Sequence, residues 1–203
     1  MKVYQIAVGP MQNFSYIVED ESTHEAIVID PSWDLEKLTE IINEQNLNPK
    51  YIVNTHWHDD HTKGNEELAK ELSVKIVQHS ASQLKNDLTV SDGDSIKFGC
   101  SELAVYHTPG HSKDSICLVG DGKIFSGDTL FVGNCGRIDL PGGSAKELYH
   151  GLFDVIANLS DDLVLYPGHD YGSSPTSTIG KEKQTNPVMQ NITEAEFIER
   201  MSG

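Results

Sequence analysis

Long apolar runs, cysteines and a leader pattern are scarce or missing in this sequence. No stretch of its 203 residues approaches the roughly 20 apolar residues that a membrane-spanning helix needs. The start, with one lysine before an early Gly-Pro, lacks the pattern of a signal peptide. The three cysteines are widely spaced and form no CxxC pair, which excludes a disulfide framework and a thiolate zinc knuckle. We therefore expect a cytoplasmic protein without a membrane partner.

Positive charge is scarce as well. The 15 Lys and Arg residues stand against 31 Asp and Glu residues, which gives a formal net charge of −16 at pH 7, and only two of the basic residues are arginines. A field of this sign repels nucleic acid and anionic lipid, so we expect neither as a partner. The expected partner is a small-molecule substrate, and an anionic one would need a local cation. Composition leaves the oligomeric state open.

Apolar residues make up 37% of the chain, which is enough for a sizeable core, and short β-branched runs alternate with stretches of helical period. The predicted strands are Val3–Val8, Ser15–Val18, Ala26–Asp30, Tyr51–Asn54, Lys75–Gln78, Ser95–Phe98, Glu102–His107, Ile116–Val119, Lys123–Ser126 and Leu163–Tyr166. The predicted helices are Asp34–Asn46, Asn65–Leu72, Ser144–Leu159 and Thr193–Met201. In the third helix, Ser144 as N-cap and Glu147 form a predicted capping box. Many short strands in two halves, with helices between them, favour two packed sheets covered by helices.

A cluster of metal-binding residue types follows the predicted strand Tyr51–Asn54 directly. The segment HWHDDH contains His56, His58, Asp60 and His61, whose imidazole and carboxylate groups are suited to zinc or iron. In an extended segment, the side chains of His56 and His58 point the same way, as residues i and i+2 do. The tighter turn at Asp60 and His61 aims two donors elsewhere. The spacing therefore favours two adjacent metals over one.

Three further donors each follow a predicted strand and a glycine. They are His111 in TPGHS, Asp128 in SGDT and His169 in PGHD. A glycine lets the backbone turn sharply, so that the next side chain can face a cleft at the strand ends. We therefore expect these residues to complete the metal site. The remaining histidines lack this context and are predicted to be surface or core residues: His24, His79, His107 and His150.

In order and spacing, these motifs resemble the metallo-β-lactamase superfamily. Phe125–Arg137 and Tyr166–Tyr171 are similar to its glyoxalase II-like branch, and Thr178–Pro187 (TIGKEKQTNP) is similar to a tail of short-form hydroxyacylglutathione hydrolases. The motifs that carry the resemblance span about Tyr51–Pro187. The resemblance implies an α/β (α+β) fold, a four-layer αββα sandwich with metals in a cleft at the strand ends. Residues 1–203 would form a single domain of this kind.

The resemblance also implies two divalent metal ions, with zinc expected and Fe²⁺ as the alternative. The first metal would be held by His56, His58 and His111, the second by Asp60, His61 and His169, and Asp128 would bridge both. Metals roughly 3.5 Å apart can bring the pKa of a shared water down to about 7. The metal-bound hydroxide, assisted by Asp60 and Asp128, would then attack a thioester or ester carbonyl.

The same resemblance offers candidate substrate contacts. Arg137 matches a basic glutathione contact of the branch and Tyr171 a tyrosine contact, so both are candidate substrate-binding residues. For Arg137, a structural ion pair with Asp139 is the alternative, and Tyr171 could instead pack beneath the site.

The leading expectation is a metal-dependent hydrolase of small thioesters or esters, similar to hydroxyacylglutathione hydrolases. The stretch Gly136–Asp139 looks more like the persulfide dioxygenases of the same superfamily. In those enzymes a single Fe²⁺ sits on residues that correspond to His56, His111 and Asp128. A lactonase is a further alternative. A non-catalytic metal-binding protein would be expected to lack some of the seven donors, all of which are present in this chain.

Overall fold

The first half of the chain forms a mixed six-stranded sheet. The computed structural model describes residues 1–190 and 192–202. The strands lie in chain order: β1 (Lys2–Val8), β2 (Asn13–Glu19), β3 (Glu25–Ile29), β4 (Asn48–Val53), β5 (Lys75–His79) and β6 (Leu88–Val90). The pairs β1–β2 and β2–β3 are antiparallel, whereas β3 to β6 are parallel. The carboxyl ends of β3, β4 and β5 therefore meet at one edge.

The second half forms another six-stranded sheet, in the order β14-β13-β10-β9-β8-β7. These strands are β7 (Ser95–Phe98), β8 (Ser101–His107), β9 (Ile116–Gly120), β10 (Lys123–Gly127), β13 (Val164–Pro167) and β14 (Ser177–Thr178). The pair β10–β13 is parallel, and the other neighbours are antiparallel. Between β10 and β13 the chain forms a small separate hairpin of β11 (Leu130–Phe131) and β12 (Asn134–Cys135).

Helices cover the outer face of each sheet. They are α1 (Leu35–Glu44), α2 (Asp59–Thr62), α3 (Asn65–Leu72), α4 (Ala145–His150), α5 (Ile179–Thr185) and α6 (Glu194–Ser202), with a π-helical segment at Gly151–Val155 and a 3₁₀ segment at Ile156–Asn158. Leu38 of α1 and Leu68 of α3 pack in one cluster with the first sheet, whereas Leu148 of α4 and Phe197 of α6 pack in another with the second. Of the helices within residues 1–190 and 192–202, none is both long and apolar enough to cross a membrane.

The two sheets pack face to face, as the side chains of β3 show by alternating between two core clusters. Ile27 and Ile29 lie in the core between the sheets with Phe125, whereas Ala26 and Val28 lie in the core beneath the helices. Successive side chains of a strand point to opposite faces, so a strand buried on both sides is apolar throughout. The layers are helix, sheet, sheet and helix. This confirms the αββα sandwich that the motifs predict.

The predicted helix Ser144–Leu159 is correct in place but is not one continuous α-helix. The chain passes from α4 through one π turn into the 3₁₀ segment. Leu148, Leu152 and Ile156 are spaced four residues apart, and all three are fully buried. An α-helix of 3.6 residues per turn would rotate such a series by about 40° at each step. The wider π turn keeps the three side chains on the face that packs against the sheet.

Candidate metal centre

The seven predicted donors come together in one cleft, at the edge where strands of both sheets end. His56 and His58 follow β4, His111 follows β8, and Asp128 and His169 follow the paired strands β10 and β13. Six of the seven donors are buried, and Asp60 is partly exposed. Gly168 allows a close approach to the Asp128 carboxylate, because a Cβ there would lie 2.3 Å from Asp128 Oδ1. The glycine before His169 is therefore a steric requirement of the cleft.

The first group of donors consists of His56, His58 and His111, whose ligand atoms lie within 4.8 Å of one another. His111 Nε2 is 2.8 Å from His58 Nδ1. The other ring nitrogen of His111, Nδ1, is 2.7 Å from the Arg137 carbonyl oxygen. Because a carbonyl oxygen can only accept, Nδ1 carries the proton and Nε2 presents a lone pair to the cleft.

The second group consists of Asp60, His61 and His169. His61 Nε2 and His169 Nε2 are 3.2 Å apart, and Asp60 Oδ2 lies 3.4 Å from each of them. His169 Nδ1 is 2.9 Å from the Met11 carbonyl oxygen, and His61 Nδ1 is 3.1 Å from Asp30 Oδ2. Both Nδ1 atoms therefore donate, so the two Nε2 lone pairs face each other.

Asp128 lies between the two groups. Its Oδ2 is 3.5 Å from His111 Nε2 and 3.3 Å from His169 Nε2, and its Oδ1 is 3.4 Å from His61 Nε2. Burial alone would raise the pKa of this carboxyl group, but His61 and His169 hold the pKa well below its usual value. Oδ2 thus lies near donors of both groups, and Oδ1 lies near the second group, so the carboxylate is placed between the two.

The donor set fits a metal ion. Lone pairs that face each other across about 3 Å repel unless a cation or a proton lies between them. His56 Nε2 is buried and has no hydrogen-bond partner among the described residues, which is costly for a polar atom unless it binds something. Burial opposes a charge on His169, yet Asp128 and Asp60 raise its pKa to about 9. The field that stabilises a proton there also stabilises a metal cation.

Asp30 belongs to the site, although its sequence pattern predicts only the end of the strand Ala26–Asp30. It follows β3 with a φ of 51°, and its side chain is buried. Oδ1 accepts the Thr55 backbone N–H at 2.7 Å, and Oδ2 accepts the Thr55 hydroxyl at 2.6 Å and faces His61 Nδ1. Thr55 Oγ1 in turn faces His56 Nδ1 at 3.1 Å. The signal that could have revealed Asp30 is the one used for the other donors, a polar residue directly after a buried strand.

Asn13, at the start of β2, is a second residue that the sequence does not reveal. Its side chain is 1% exposed, and Nδ2 donates to Asp60 Oδ2 and to the Asp60 carbonyl oxygen, both at 3.0 Å. The backbones of Asn13 and His169 also pair as an isolated antiparallel β-bridge. The turn between β1 and β2 thus contacts two of the three donors of the second group.

A cavity of about 260 Å³ opens over the donors. Met11, Phe131, Leu140 and Tyr171 give it a largely apolar wall, and Arg137 also lines it. The Tyr171 ring stacks on His169, with 4.5 Å between ring centroids, and is 52% exposed. Arg137 lies at the cavity but is not free: it forms a two-point ion pair with Asp139 in which both side chains are mostly exposed.

The four histidines predicted to lie elsewhere have other partners. His79 and His107 stack on each other, His24 contacts Glu19, and His150 contacts Asp154. Cys135 is buried and lines the cavity. Burial raises the pKa of its thiol to about 12, so it is a weak nucleophile.

The sequence profile of the metallo-β-lactamase superfamily matches residues 8–83 and 78–169. The chain belongs to this superfamily. It is 36% identical over 192 residues to the human mitochondrial persulfide dioxygenase ETHE1, covering 93% of this chain and 75% of that protein. It is 37% identical over 172 residues to the hydroxyacylglutathione hydrolase of Tolumonas auensis, covering 82% of this chain and 66% of that protein.

The fold is also that of a solved relative. The crystal structure of ETHE1 from Myxococcus xanthus matches 100% of this chain and 91% of its own, with a TM-score of 0.96 at 30% identity. The family predicted from the motifs is thus confirmed, and the chain carries a His and Asp metal-binding site on the fold of this superfamily. A dioxygenase and a hydrolase are relatives of nearly equal identity.

Proposed function

We propose that the protein is a hydrolase of small thioesters or esters that uses two divalent metal ions. The observation that carries the proposal is the presence of two complete groups of donors, with the Asp128 carboxylate in contact with both. A single metal needs only one such group. A centre with one metal does not need Asp60, His61 and His169 as ligands, although the HxHxDH segment that contains Asp60 and His61 resembles both candidate enzyme classes. Asp30, Asn13 and the Met11 carbonyl hold this second group in place.

The donor groups would hold the metals as the resemblance implies. His56, His58 and His111 would hold the first, Asp60, His61 and His169 the second, and Asp128 would bridge them. Two such ions supply a Lewis acid and a nucleophile at neutral pH. Zinc is the metal we propose, since it takes imidazole and carboxylate ligands and needs no redox change for hydrolysis.

The cavity residues would orient the substrate. The apolar wall formed by Met11, Phe131 and Leu140 would contact the carbon skeleton beside the carbonyl group. Tyr171 and Arg137, at the exposed side of the cavity, would contact the polar end of the thiol or alcohol part. Because Asp139 neutralises most of the charge of Arg137, we expect Arg137 to affect KM more than kcat and to attract anions only weakly.

A persulfide dioxygenase is the second candidate, and two observations favour it. The chain is 36% identical to the human enzyme over 93% of its length, and the Arg137–Asp139 pair lies in the stretch that resembles those enzymes. In this alternative, a single Fe²⁺ would be held by His56, His111 and Asp128. Zinc has no accessible redox couple, so the zinc form could not carry out this oxidation.

His169→Ala separates the two candidates, because it removes a donor of the second group only. The zinc form of the wild type should cleave S-lactoylglutathione or a simpler thioester without oxygen, and His169→Ala should lose most of this activity. His150→Ala, which removes a partly exposed histidine that is not one of the seven donors, is the matched control. Oxygen uptake with glutathione persulfide by the iron form, retained in His169→Ala, together with no thioester cleavage by the zinc form, would establish the dioxygenase.

A further inference from the structure

The stretch Thr178–Pro187 contributes no donor to the metal centre, yet it contains two buried polar side chains. Glu182 is 1% exposed and Asn186 is 0% exposed. They are four residues apart, so both lie on the same side of α5 as it ends, where neighbouring side chains can meet. Burying a carboxyl group and an amide is costly unless each finds hydrogen-bond partners. We call these two residues the hairpin anchor.

The partners of the hairpin anchor belong to the β11–β12 hairpin. The Gly133 backbone N–H donates to Glu182 Oε2 at 2.8 Å, and Asn186 Nδ2 donates to the same oxygen at 2.9 Å. Asn186 Nδ2 also donates to the carbonyl oxygens of Phe131, at 3.3 Å, and Asn134, at 3.1 Å. The Ser177 hydroxyl donates to Glu182 Oε1. Three of the hairpin's backbone groups are thus held by two side chains.

The hairpin is also held by apolar packing at its base, where Leu130, Val132 and Cys135 are buried in the core cluster of the second sheet. Its backbone pairing, however, is short. Each of its strands is two residues long, and a two-stranded hairpin is marginal by itself. Its turn includes Gly133 with a φ of 79°, where a Cβ would meet nothing within 4 Å. The turn is therefore open on the side where a Gly133 side chain would lie.

The other side of the hairpin faces the cavity. The Phe131 ring contacts His169 edge-on, with 5.7 Å between centroids, and Tyr171 edge-on at 5.5 Å. Phe131, Asn134 and Cys135 all line the cavity. A shift of the hairpin would therefore move one cavity wall and the ring that packs against a metal donor.

We propose that Glu182 and Asn186 are positioning residues, which place the β11–β12 hairpin and through it the substrate-facing wall and the Tyr171 ring. The kinetic part of this inference rests on the proposed hydrolase function, whereas the placement of the hairpin does not. A leucine would fill the space of Glu182 but would leave the Gly133 N–H and Asn186 Nδ2 without this acceptor.

The kinetic test compares three variants. Glu182→Leu should raise KM for a thioester about 10-fold, with a smaller fall in kcat and with the metal content unchanged. Glu182→Gln should keep KM close to the wild-type value. Its amide oxygen can accept from the Gly133 N–H and Asn186 Nδ2, while its NH₂ group donates to the Ser177 hydroxyl oxygen. Gln184→Leu places the same side chain at an exposed position of α5 and should change nothing.

The second test needs no activity. In a Cys100→Ser background, Cys117 and Cys135 are both buried, and Cys135 lies in β12. Glu182→Leu should speed the reaction of Cys135 with a disulfide reagent about 10-fold, while Cys117 reacts as before. Ser177→Ala, which removes one hydrogen bond, should produce a smaller change in the same direction if Glu182→Leu does not fold.

The outcomes distinguish a failure of the hairpin proposal from a failure of the hydrolase proposal. Faster Cys135 labelling without thioester cleavage by any variant would support the hairpin anchor and contradict the hydrolase. An unchanged KM and an unchanged Cys135 reactivity in Glu182→Leu would overturn the inference. Equal losses in the free energy of unfolding for Glu182→Leu and Glu182→Gln, with no other change in either variant, would overturn it as well.

Discussion

Asp30 contacts the second donor group and the backbone that precedes the first. Its Oδ2 accepts from His61 Nδ1, and its two oxygens hold the Thr55 N–H and hydroxyl, next to His56. Such a partner fixes which ring nitrogen of a histidine carries the proton, and its loss typically weakens metal binding about 10–100-fold. Because Nδ1–H of His61 donates to Asp30, Nε2 is left free for the metal.

We therefore expect Asp30→Asn to weaken metal binding about 10–100-fold, since the new NH₂ group can face the His61 ring and disfavour this tautomer. Competition with a chromogenic chelator would measure the dissociation constant. Asp59→Asn is the control, because Asp59 is an exposed carboxylate in the same HWHDDH segment. Equal affinities of Asp30→Asn and the wild type would show that Asp30 only stabilises the fold.

Asp128 and His169 should differ in how many metals their loss removes. Asp128 contacts donors of both groups, whereas His169 belongs to one. We expect up to two zinc equivalents per chain in the wild type. His169→Ala should keep the first site, and Asp128→Ala should weaken both. Metal analysis after equilibrium dialysis would count them. Full metal content and full activity in Asp128→Ala would exclude a bridging carboxylate.

At the residue scale, the donors could be predicted from the sequence, and of the residues that hold them in place only Asp30 carries the same local signal. Each donor is a histidine or an aspartate in a short segment that follows a strand, with Asp60 and His61 in α2 after β4, and this pattern is visible locally. Asn13 is different, because nothing near it in the sequence relates it to Asp60. Its Nδ2 meets the Asp60 carboxylate only because the β1–β2 turn folds over the cleft. Such a contact depends on pairing between distant segments.

Among the elements, the start of α4 departs from the predicted capping box. Ser144 Oγ accepts the Glu147 N–H at 3.2 Å, as expected. The Ser144 N–H, however, donates to the Gly110 carbonyl oxygen at 2.7 Å rather than to the Glu147 side chain. The reciprocal half of the box is thus replaced by a bond to the residue before His111. The helix start and the His111 turn are directly linked.

Ser144→Ala should therefore lower the free energy of unfolding by about 1 kcal/mol. Glu147→Gln should cost only a few tenths of a kcal/mol, because it removes only a charge near the helix N-terminus. Urea unfolding of the zinc-loaded proteins would measure both. If the two variants lost equal stability, the Glu147 side chain would have to take part in the cap.

His79, at the end of β5, should make stability depend on pH. Burial lowers its pKa to about 4, the stacked His107 ring contributes to this lowering, and Asp92 opposes it. The Ala81 N–H donates to Nδ1 at 3.2 Å, which only an unprotonated nitrogen can accept. An unfolded histidine binds a proton below about pH 6.5. The unfolded state thus binds more protons between about pH 6.5 and 4, and stability falls as the pH drops through this window.

His79→Phe keeps an aromatic ring stacked on His107. It should reduce the slope of the free energy of unfolding against pH between about pH 6.5 and 4. Urea unfolding of chelator-treated wild type and variant, in steps across this pH window, would give the difference. An identical slope in wild type and His79→Phe would mean that His79 does not resist protonation in the folded protein.

Element length decided which parts of the fold could be predicted. The sequence predicts strands of β-branched residues and long amphipathic helices to within a few residues of their ends. It does not predict β6, β11, β12, β14 or the four-residue helix α2, because such short elements are defined by the residues they contact rather than by their own pattern. It does not predict α5 for a related reason: the buried face of this helix includes Glu182, a residue type that a hydrophobic pattern leaves out.

At the scale of the whole molecule, the metal centre joins the two sheets. His56, His58 and His61 come from the first sheet's edge, and His111, Asp128 and His169 from the second. A metal that binds across this junction binds the folded state and not the dispersed ligands of the unfolded chain, so it stabilises the fold. At a free metal concentration 100 times the dissociation constant, the gain is about 2.7 kcal/mol.

Removal of the metal should therefore lower the unfolding temperature by roughly 5–10 °C, since 1 kcal/mol corresponds to about 2–4 °C for a chain of this size. Without the metal, a proton on His169, whose pKa is raised to about 9, would take the place of the cation between the Nε2 atoms of His61 and His169, which are 3.2 Å apart. Thermal unfolding with and without a chelator, followed by zinc titration, would measure the shift and its reversal. Asp128→Ala should show a smaller shift in unfolding temperature on metal removal, because it lacks the carboxylate that contacts both donor groups and should bind less metal. A chelator that strips the metal and leaves the unfolding temperature unchanged would show that the junction is rigid without it.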